Sequence, residues 1–208
     1  MDKTGIKIIF GTGNAGKMKE IRMIMADLGL EILSMKEAGI NVDIVEDGES
    51  FEENAMIKAK AIAQEVNRRG EKAIVLADDS GLEVDYLNKE PGIYSARYLG
   101  EDTSYTIKNA NIISRLEGVP DEKRTARFVC VIAAVFASGV SFSRRAVIEG
   151  AIGYEERGEN GFGYDPIFYL PEYGCYAAEL SNEEKNRISH RGKALEAMKK
   201  VIREEIGL

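Results

Sequence analysis

Short apolar runs alternate along the chain with longer stretches whose apolar residues recur every three or four positions. Ile6-Lys7-Ile8-Ile9-Phe10 is the first run and predicts a strand. A helix follows, with Ile21, Ile24, Met25 and Leu28 on one side and Gly29 as its stop. Glu31 to Ser34 predicts a second strand. A long helix opens at Ser50, which is spaced from Glu53 as in a capping box. Ala55, Ala59, Ile62, Ala63 and Val66 make its buried stripe, and Gly70 ends it. Ala73-Ile74-Val75-Leu76 predicts a buried strand that delivers Asp78 and Asp79 to its end, where Gly81 breaks the pattern; Leu82 to Tyr86 resumes as strand. Thr103 to Leu116 predicts a helix. Arg127 to Ala137 and Val140 to Ile148 are two β-like runs joined at Ser138-Gly139, a hairpin signal. Ser181 and Glu184 form a second capping box, and Ser189 suits the N-cap of a last helix with Ala194, Leu195, Met198, Val201 and Ile202 turned inward. Parallel-type βα units early and a hairpin later predict an α/β fold.

Composition narrows this picture. At 208 residues and 44% hydrophobic content, the chain supports a sizeable core and a single domain over residues 1–208. A formal net charge of -7 argues against a general nucleic-acid or membrane-surface binder, so an anionic ligand would need local cations or a metal. Met1-Asp2-Lys3-Thr4-Gly5 does not read as a signal peptide, and no segment is long and apolar enough to span a bilayer. Cys130 sits in an apolar run and predicts a core residue, whereas Cys175 falls in an expected loop. Neither belongs to a disulfide or metal framework, and the expected location is a reducing cytoplasm.

Candidate chemistry clusters at five places. Gly11-Thr12-Gly13-Asn14-Ala15-Gly16-Lys17 links a strand to a helix N-terminus, a junction that aims backbone N–H groups at an anion. It matches G-x-G-x-x-G; it also matches most of a P-loop, but Met18 stands where a Mg²⁺-binding Ser or Thr is required. A third reading is a different phosphate loop in which Thr12, Asn14 and Lys17 supply contacts, and a fourth is a mere tight turn. The adjacent Asp78 and Asp79 point to opposite faces of an extended chain and repel unless a cation or proton sits between them; they also suit turn hydrogen bonds. Glu46 lies in an acidic turn upstream of the long helix, on which Asn54 and Lys58 are one turn apart and look the same way. Gly161-Phe162-Gly163-Tyr164-Asp165-Pro166 would let a flat ligand approach and stack on Phe162, or bury its aromatics in the core. His190 and Arg191, with Lys185 nearby, offer a cluster of hydrogen-bond donors or ordinary helix-start groups.

Taken in order, these motifs resemble the inosine triphosphate pyrophosphatase family. The matching residues are Thr12-Gly13-Asn14 with Lys17, Glu46-Asp47-Gly48 with Phe51, Glu53-Asn54-Ala55 with Lys58, and Ala77 to Gly81. Pro91 to Arg97, Phe128-Val129-Cys130, Phe162 to Pro166 and Ser189-His190-Arg191 follow. The resemblance spans nearly the whole chain. It implies a long central mixed β-sheet flanked by helices, two lobes with the active-site cleft between them, and a homodimer. It implies Mg²⁺-dependent hydrolysis of ITP, dITP and XTP to the monophosphate and pyrophosphate, with one or more Mg²⁺ per subunit, removing deaminated purines from the nucleotide pool. By this resemblance Asp79 is the proton acceptor and a Mg²⁺ ligand, and Glu46 is the other acidic ligand. Thr12, Gly13, Asn14, Ala15, Gly16, Lys17, Lys58 and Ser80 would hold the phosphates. Phe162, Gly163, Tyr164, Asp165, Lys185, His190 and Arg191 would hold the purine, and Asp78 and Arg97 are further candidates.

The donors at His190 and Arg191 would favour the O6 acceptor of hypoxanthine or xanthine over the N6 donor of adenine. Three rivals remain distinguishable. A dinucleotide-binding oxidoreductase would need an acid for the ribose, with Glu37 the nearest candidate, and gives no role to the Asp pair. A non-catalytic purine-nucleotide sensor would keep the base pocket without needing Glu46 and Asp79 together. A pyrophosphatase for modified pyrimidines is disfavoured by Ser189-His190-Arg191.

Overall fold

The computed structural model describes residues 5–208. Met1 to Thr4, part of the stretch that argues against a leader, lie outside them. Strand β1 (Lys7–Gly11) is followed by helix α1 (Ala15–Met25), β2 (Glu31–Ser34), α2 (Phe51–Arg68), β3 (Ile74–Val84) and α3 (Tyr105–Arg115). Then come β4 (Thr125–Val135), β5 (Ser141–Ile152), β6 (Phe168–Leu170), β7 (Cys175–Tyr176), α4 (Asn182–Ile188) and α5 (His190–Ile206). The strands form one seven-stranded sheet in the order β2-β1-β3-β4-β5-β6-β7. β1 pairs in parallel with β2 and β3, while β5–β6 and β6–β7 are antiparallel, so the sheet is mixed. Ile8, Ile9 and Phe10 are all fully buried, as expected for a strand covered on both faces.

β3 differs from the sequence expectation in one respect. It does not stop at the Asp pair; it runs through Asp78, Asp79, Ser80 and Gly81 as a single strand. Leu82 and Val84 are fully buried, and this restored alternation holds the chain extended. The parallel partner ends first: the last pair of the β1–β3 register is Gly11 opposite Ala77. The two acids therefore lie just past the carboxyl end of β1, where open α/β sheets bind ligands. A Cβ on Gly11 would meet the tip of the Ile62 side chain of α2, which would have to shift to admit it.

Helix termini follow their caps. Asn14 Oδ1 accepts from Lys17 N (3.1 Å) at the start of α1, and Ser50 Oγ accepts from Glu53 N (3.2 Å) at the start of α2. The second half of the α2 box is shifted by one residue, because Glu53 Oε2 accepts from Glu49 N (2.7 Å). At α4 the box is complete, with Ser181 and Glu184 each accepting from the other's amide. Ser189 closes α4 through its N–H to Lys185 O (2.8 Å), and its extended backbone separates α4 from α5. β6 and β7 are too short for a period-two count, so Cys175 lies on a strand and not in the expected loop.

The described chain divides into two compact units. One runs to Asp79 and adds Cys130–Ala146 and Gly192–Leu208; the other holds Ser80–Val129 and Val147–Arg191. β3, β4 and β5 each contribute residues to both. The first unit buries Ile8, Phe10, Ile21, Met25, Leu76, Ile132, Leu195 and Met198 in its core. The second buries Leu82, Val84, Ile112, Phe128, Ile167 and Phe168. No helix of the described residues is long and apolar enough to cross a membrane.

Candidate active site

In the first unit, the loop after β1 is built partly from its own side chains. Thr12 Oγ1 accepts from Asn14 N (3.2 Å), and Asn14 caps α1. Gly13, Asn14 and Ala15 are exposed, and Thr12, Gly16 and Lys17 are half-buried. Met18 is buried in the core beside Ile21, so the position that a P-loop reserves for a metal-binding hydroxyl serves packing. Glu37, the candidate ribose acid, is occupied instead: its carboxylate accepts from Ser34 N and Oγ (both 2.8 Å) and pairs with Arg22.

The two acids of β3 go to different lysines, as its two-residue period requires. Asp78, almost fully buried, takes Lys17 Nζ at 2.8 Å. Asp79 takes Lys58 Nζ at 3.4 Å, and the same ammonium reaches Glu46 at 3.0 Å. Residues 46 and 79, far apart in sequence, thus meet on one cation. Burial works against the charge of Lys58, but Asp79, Asp78 and Glu46 outweigh it and hold its pKa above the usual lysine value. Burial also pushes the Asp79 carboxyl above the usual carboxylate range; Lys58 opposes this, while Glu46 and Asp78 add to it. Asp79 Oδ2 is buried and has no hydrogen-bond partner.

These features suit a hard divalent cation. No group of three or more His, Cys, Asp or Glu gathers as a metal cage among the described residues. A Mg²⁺ site needs no such cage, since it retains waters and takes substrate oxygens beside one or two carboxylates. Glu46 and Asp79, already gathered on a cation and with one oxygen of Asp79 unbonded, are the residues that could hold it.

The second unit assembles the aromatic and donor set. Asp165 and Lys185 form a buried ion pair at 2.6 Å, and Asp165 Oδ2 also accepts from Phe162 N (2.8 Å). Lys185 Nζ lies 4.6 Å and Arg191 Cζ 5.5 Å from the centre of the half-buried Phe162 ring. Arg191 Nη2 donates to Ser80 Oγ at 3.1 Å. His190 is stacked on Phe128, with ring centres 4.9 Å apart and planes 20° from parallel. A small cavity is lined by Phe128, Asp165, Lys185, Ser189 and His190 among others.

Two candidates sit differently from the rest. Tyr164 is buried in the apolar core, and its hydroxyl donates to Ser95 O (2.8 Å), so its ring serves packing. Arg97 lies 4.9 Å over the exposed Tyr94 ring, in a 3-10 segment, Gly92–Arg97. Sequence reasoning gave no role to Asn109, whose Nδ2 donates to Gly163 O (3.3 Å) and Glu156 (2.6 Å) and so holds the aromatic loop. The signal was present: Asn109 lies on the inward face of α3 with Ile112, where a buried amide needs partners. Phe128 was visible as part of a motif, but its stacking on His190 was not.

Comparison with known proteins identifies the family. Residues 8–201 match the model of the Ham1 family. A Clostridium perfringens protein named dITP/XTP pyrophosphatase is 49% identical over 194 residues, covering 93% of this chain and 95% of its own. A Desulforamulus reducens protein of the same name is 47% identical over 197 residues, covering 95% and 96%. The solved HAM1 protein of Coxiella burnetii is 39% identical with a TM-score of 0.84, over 96% of this chain and 99% of that one. The chain belongs to the Ham1 family.

Proposed function

We propose that this protein hydrolyses non-canonical purine nucleoside triphosphates, namely ITP, dITP and XTP, to the monophosphate and pyrophosphate. The reading is supported by the names of its relatives and by one observation above all. Glu46 and Asp79 meet on a single Lys58 ammonium, and Asp79 Oδ2 is buried without a hydrogen-bond partner. A carboxylate so placed is suited to accept a proton from attacking water. The water oxygen bonds the α-phosphorus, the bond from that phosphorus to the bridging oxygen breaks, pyrophosphate leaves, and Asp79 takes the water's proton. Lys17 and Lys58 oppose the charge of the phosphates, aided by Thr12, Gly13, Asn14, Ala15, Gly16 and the amino end of α1, with Ser80 as a further contact. Glu46 and Asp79 would hold Mg²⁺, which would supply additional charge neutralisation for the triphosphate.

The purine is the task of the second set. Phe162 stacks on it, with Gly163 giving close approach, and His190 and Arg191 donate to O6. The Asp165–Lys185 pair fixes the Phe162 backbone and so the height of the stacking ring. Adenine would set donor against donor, a mismatch that such sites reject by roughly 10⁴-fold. The same reading makes the protein a cytoplasmic homodimer. Turnover of ITP, XTP, GTP and ATP, with and without Mg²⁺, tests the reaction. Pyrophosphate should appear from ITP and XTP only with the metal present. Orthophosphate release, with the α–β bond intact, would refute the assignment.

A further inference from the structure

Glu46 sits in a stretch without helix or strand, between β2 and α2. A ligand on such a loop needs something to hold its backbone, because a loose carboxylate loses geometric precision. Two amides just downstream of Glu46 are held by side chains of the first turns of α2. Gly48 N donates to Asn54 Oδ1 (2.9 Å) and Glu49 N to Glu53 Oε2 (2.7 Å). The two bonds differ in setting. Glu49 is exposed, whereas Asn54 is completely buried.

The approach of Gly48 to Asn54 is also close. A Cβ at position 48 would lie 2.8 Å from Asn54 Oδ1 and 2.7 Å from Glu53 Cβ. Asn54 Nδ2, in turn, is buried without a hydrogen-bond partner. A buried amide with one unsatisfied end is uncommon and calls for a structural reason. Here the other end is the acceptor that holds Gly48. One turn further along α2, Lys58 reaches Glu46 from the same flank of the helix.

We propose that Asn54 is a positioning residue for Glu46. Its side-chain carbonyl locks the Gly48 amide, and this sets the acidic loop so that Glu46 meets Asp79 on a common cation. The proposal rests on the reading of Glu46 as a metal ligand, and its test separates the two. Mg²⁺ alone is titrated into the protein by calorimetry, exchange of the Gly48 amide is followed by NMR, and the Mg²⁺ concentration for half-maximal ITP turnover is measured. In Asn54→Ala, the Gly48 amide should exchange at least tenfold faster. Mg²⁺ binding and half-saturation should weaken about tenfold, with kcat at saturating Mg²⁺ changed less than threefold.

Gly48→Ala disturbs the same contact from the loop side and serves where Asn54→Ala does not fold. Its methyl displaces Asn54 Oδ1, so the same rise in Mg²⁺ requirement is expected. In the double variant the Asn54–Gly48 contact is already lost and only the close approach to Glu53 Cβ remains, so the combined change should fall short of the product of the two single changes. Unaltered Mg²⁺ affinity in folded variants, or fully additive effects, would overturn the positioning role. Glu46→Gln is the control for the underlying reading: if it binds Mg²⁺ like the parent, Glu46 is no ligand, whatever Asn54 does to Gly48.

Discussion

Replacing Asp79 by Asn should abolish turnover while leaving the fold as stable as before, or more so. The reasoning starts from the buried charge. The folded protein raises the Asp79 pKa, first through burial, against the pull of Lys58, with Glu46 and Asp78 pushing it further up. A group raised in this way binds its proton more tightly when folded than when unfolded. The stability it contributes is present below the unfolded value near 4 and is lost as pH rises through the folded value. At neutral pH its ionised form is therefore a net cost, and Oδ2 lacks a hydrogen bond to offset it. Asn keeps the shape and removes the charge, at the expense of the attraction to Lys58. The balance should lie between zero and about 2 kcal/mol in favour of the variant, since the buried charge and its repulsion from Glu46 and Asp78 are removed while a buried polar atom stays at the Oδ2 position in both. For a chain of this size each kcal/mol moves Tm by about 2–4 °C. Melting in EDTA, at pH 7, should thus show Tm unchanged or raised by a few degrees. Loss of a general base costs about 10²–10⁴ in rate, and a metal ligand is lost with it. The expected fall in kcat/KM is at least about 10³, or roughly 4 kcal/mol of barrier. A Tm lowered by more than about 4 °C would show that the ionised carboxylate stabilises the fold. A loss of less than tenfold in kcat/KM would remove Asp79 from the chemistry.

Three further outcomes follow from other contacts. Arg124 is almost fully buried and donates to Ile152 O (2.8 Å), Leu116 O (2.7 Å) and Gly153 O (2.7 Å), so Arg124→Met should cost about 3–5 kcal/mol in urea unfolding; a cost under about 1 kcal/mol would contradict this. Asp85 is raised by burial but held well below the usual carboxylate range by its bonds to Arg127, Lys89 and Thr125. Its stabilisation is present above about pH 4 and lost as pH falls toward its folded value, so the difference of about 1–2 kcal/mol between parent and Asp85→Asn at pH 7 should shrink in acid; a constant gap from pH 7 to pH 2 would be evidence against the ion pair. His190→Ala should narrow the preference for ITP over ATP by about tenfold or more, and unchanged selectivity would discard the donor cluster.

Much of the frame was legible because period and cap act locally. The stripe Ala55, Ala59, Ile62, Ala63 and Val66 fixes α2 and its buried face without reference to the rest of the chain. The Ser181–Glu184 box likewise marks the start of α4. Legibility failed where tertiary packing chose between local options. Gly81 is a breaker by itself, yet Leu82 and Val84 find a core and pull the strand through it. Tyr164 and Phe162 are two aromatics of one glycine-rich loop, and nothing local separates them. Only the Ser95 carbonyl and the surrounding core assign Tyr164 to packing.

The Asp pair shows how a local rule and a distant partner combine. Alternation alone sends the side chains of Asp78 and Asp79 to different faces of β3. It does not say what waits on each face. The chain supplies Lys17 from α1 to one and Lys58 from α2 to the other, across 61 and 21 residues. Division between two lysines lets Asp78 anchor Lys17 and leaves Lys58 to be shared by Asp79 and Glu46. The same pairing holds both lysines in place before a triphosphate arrives, so less side-chain order has to be imposed when it binds.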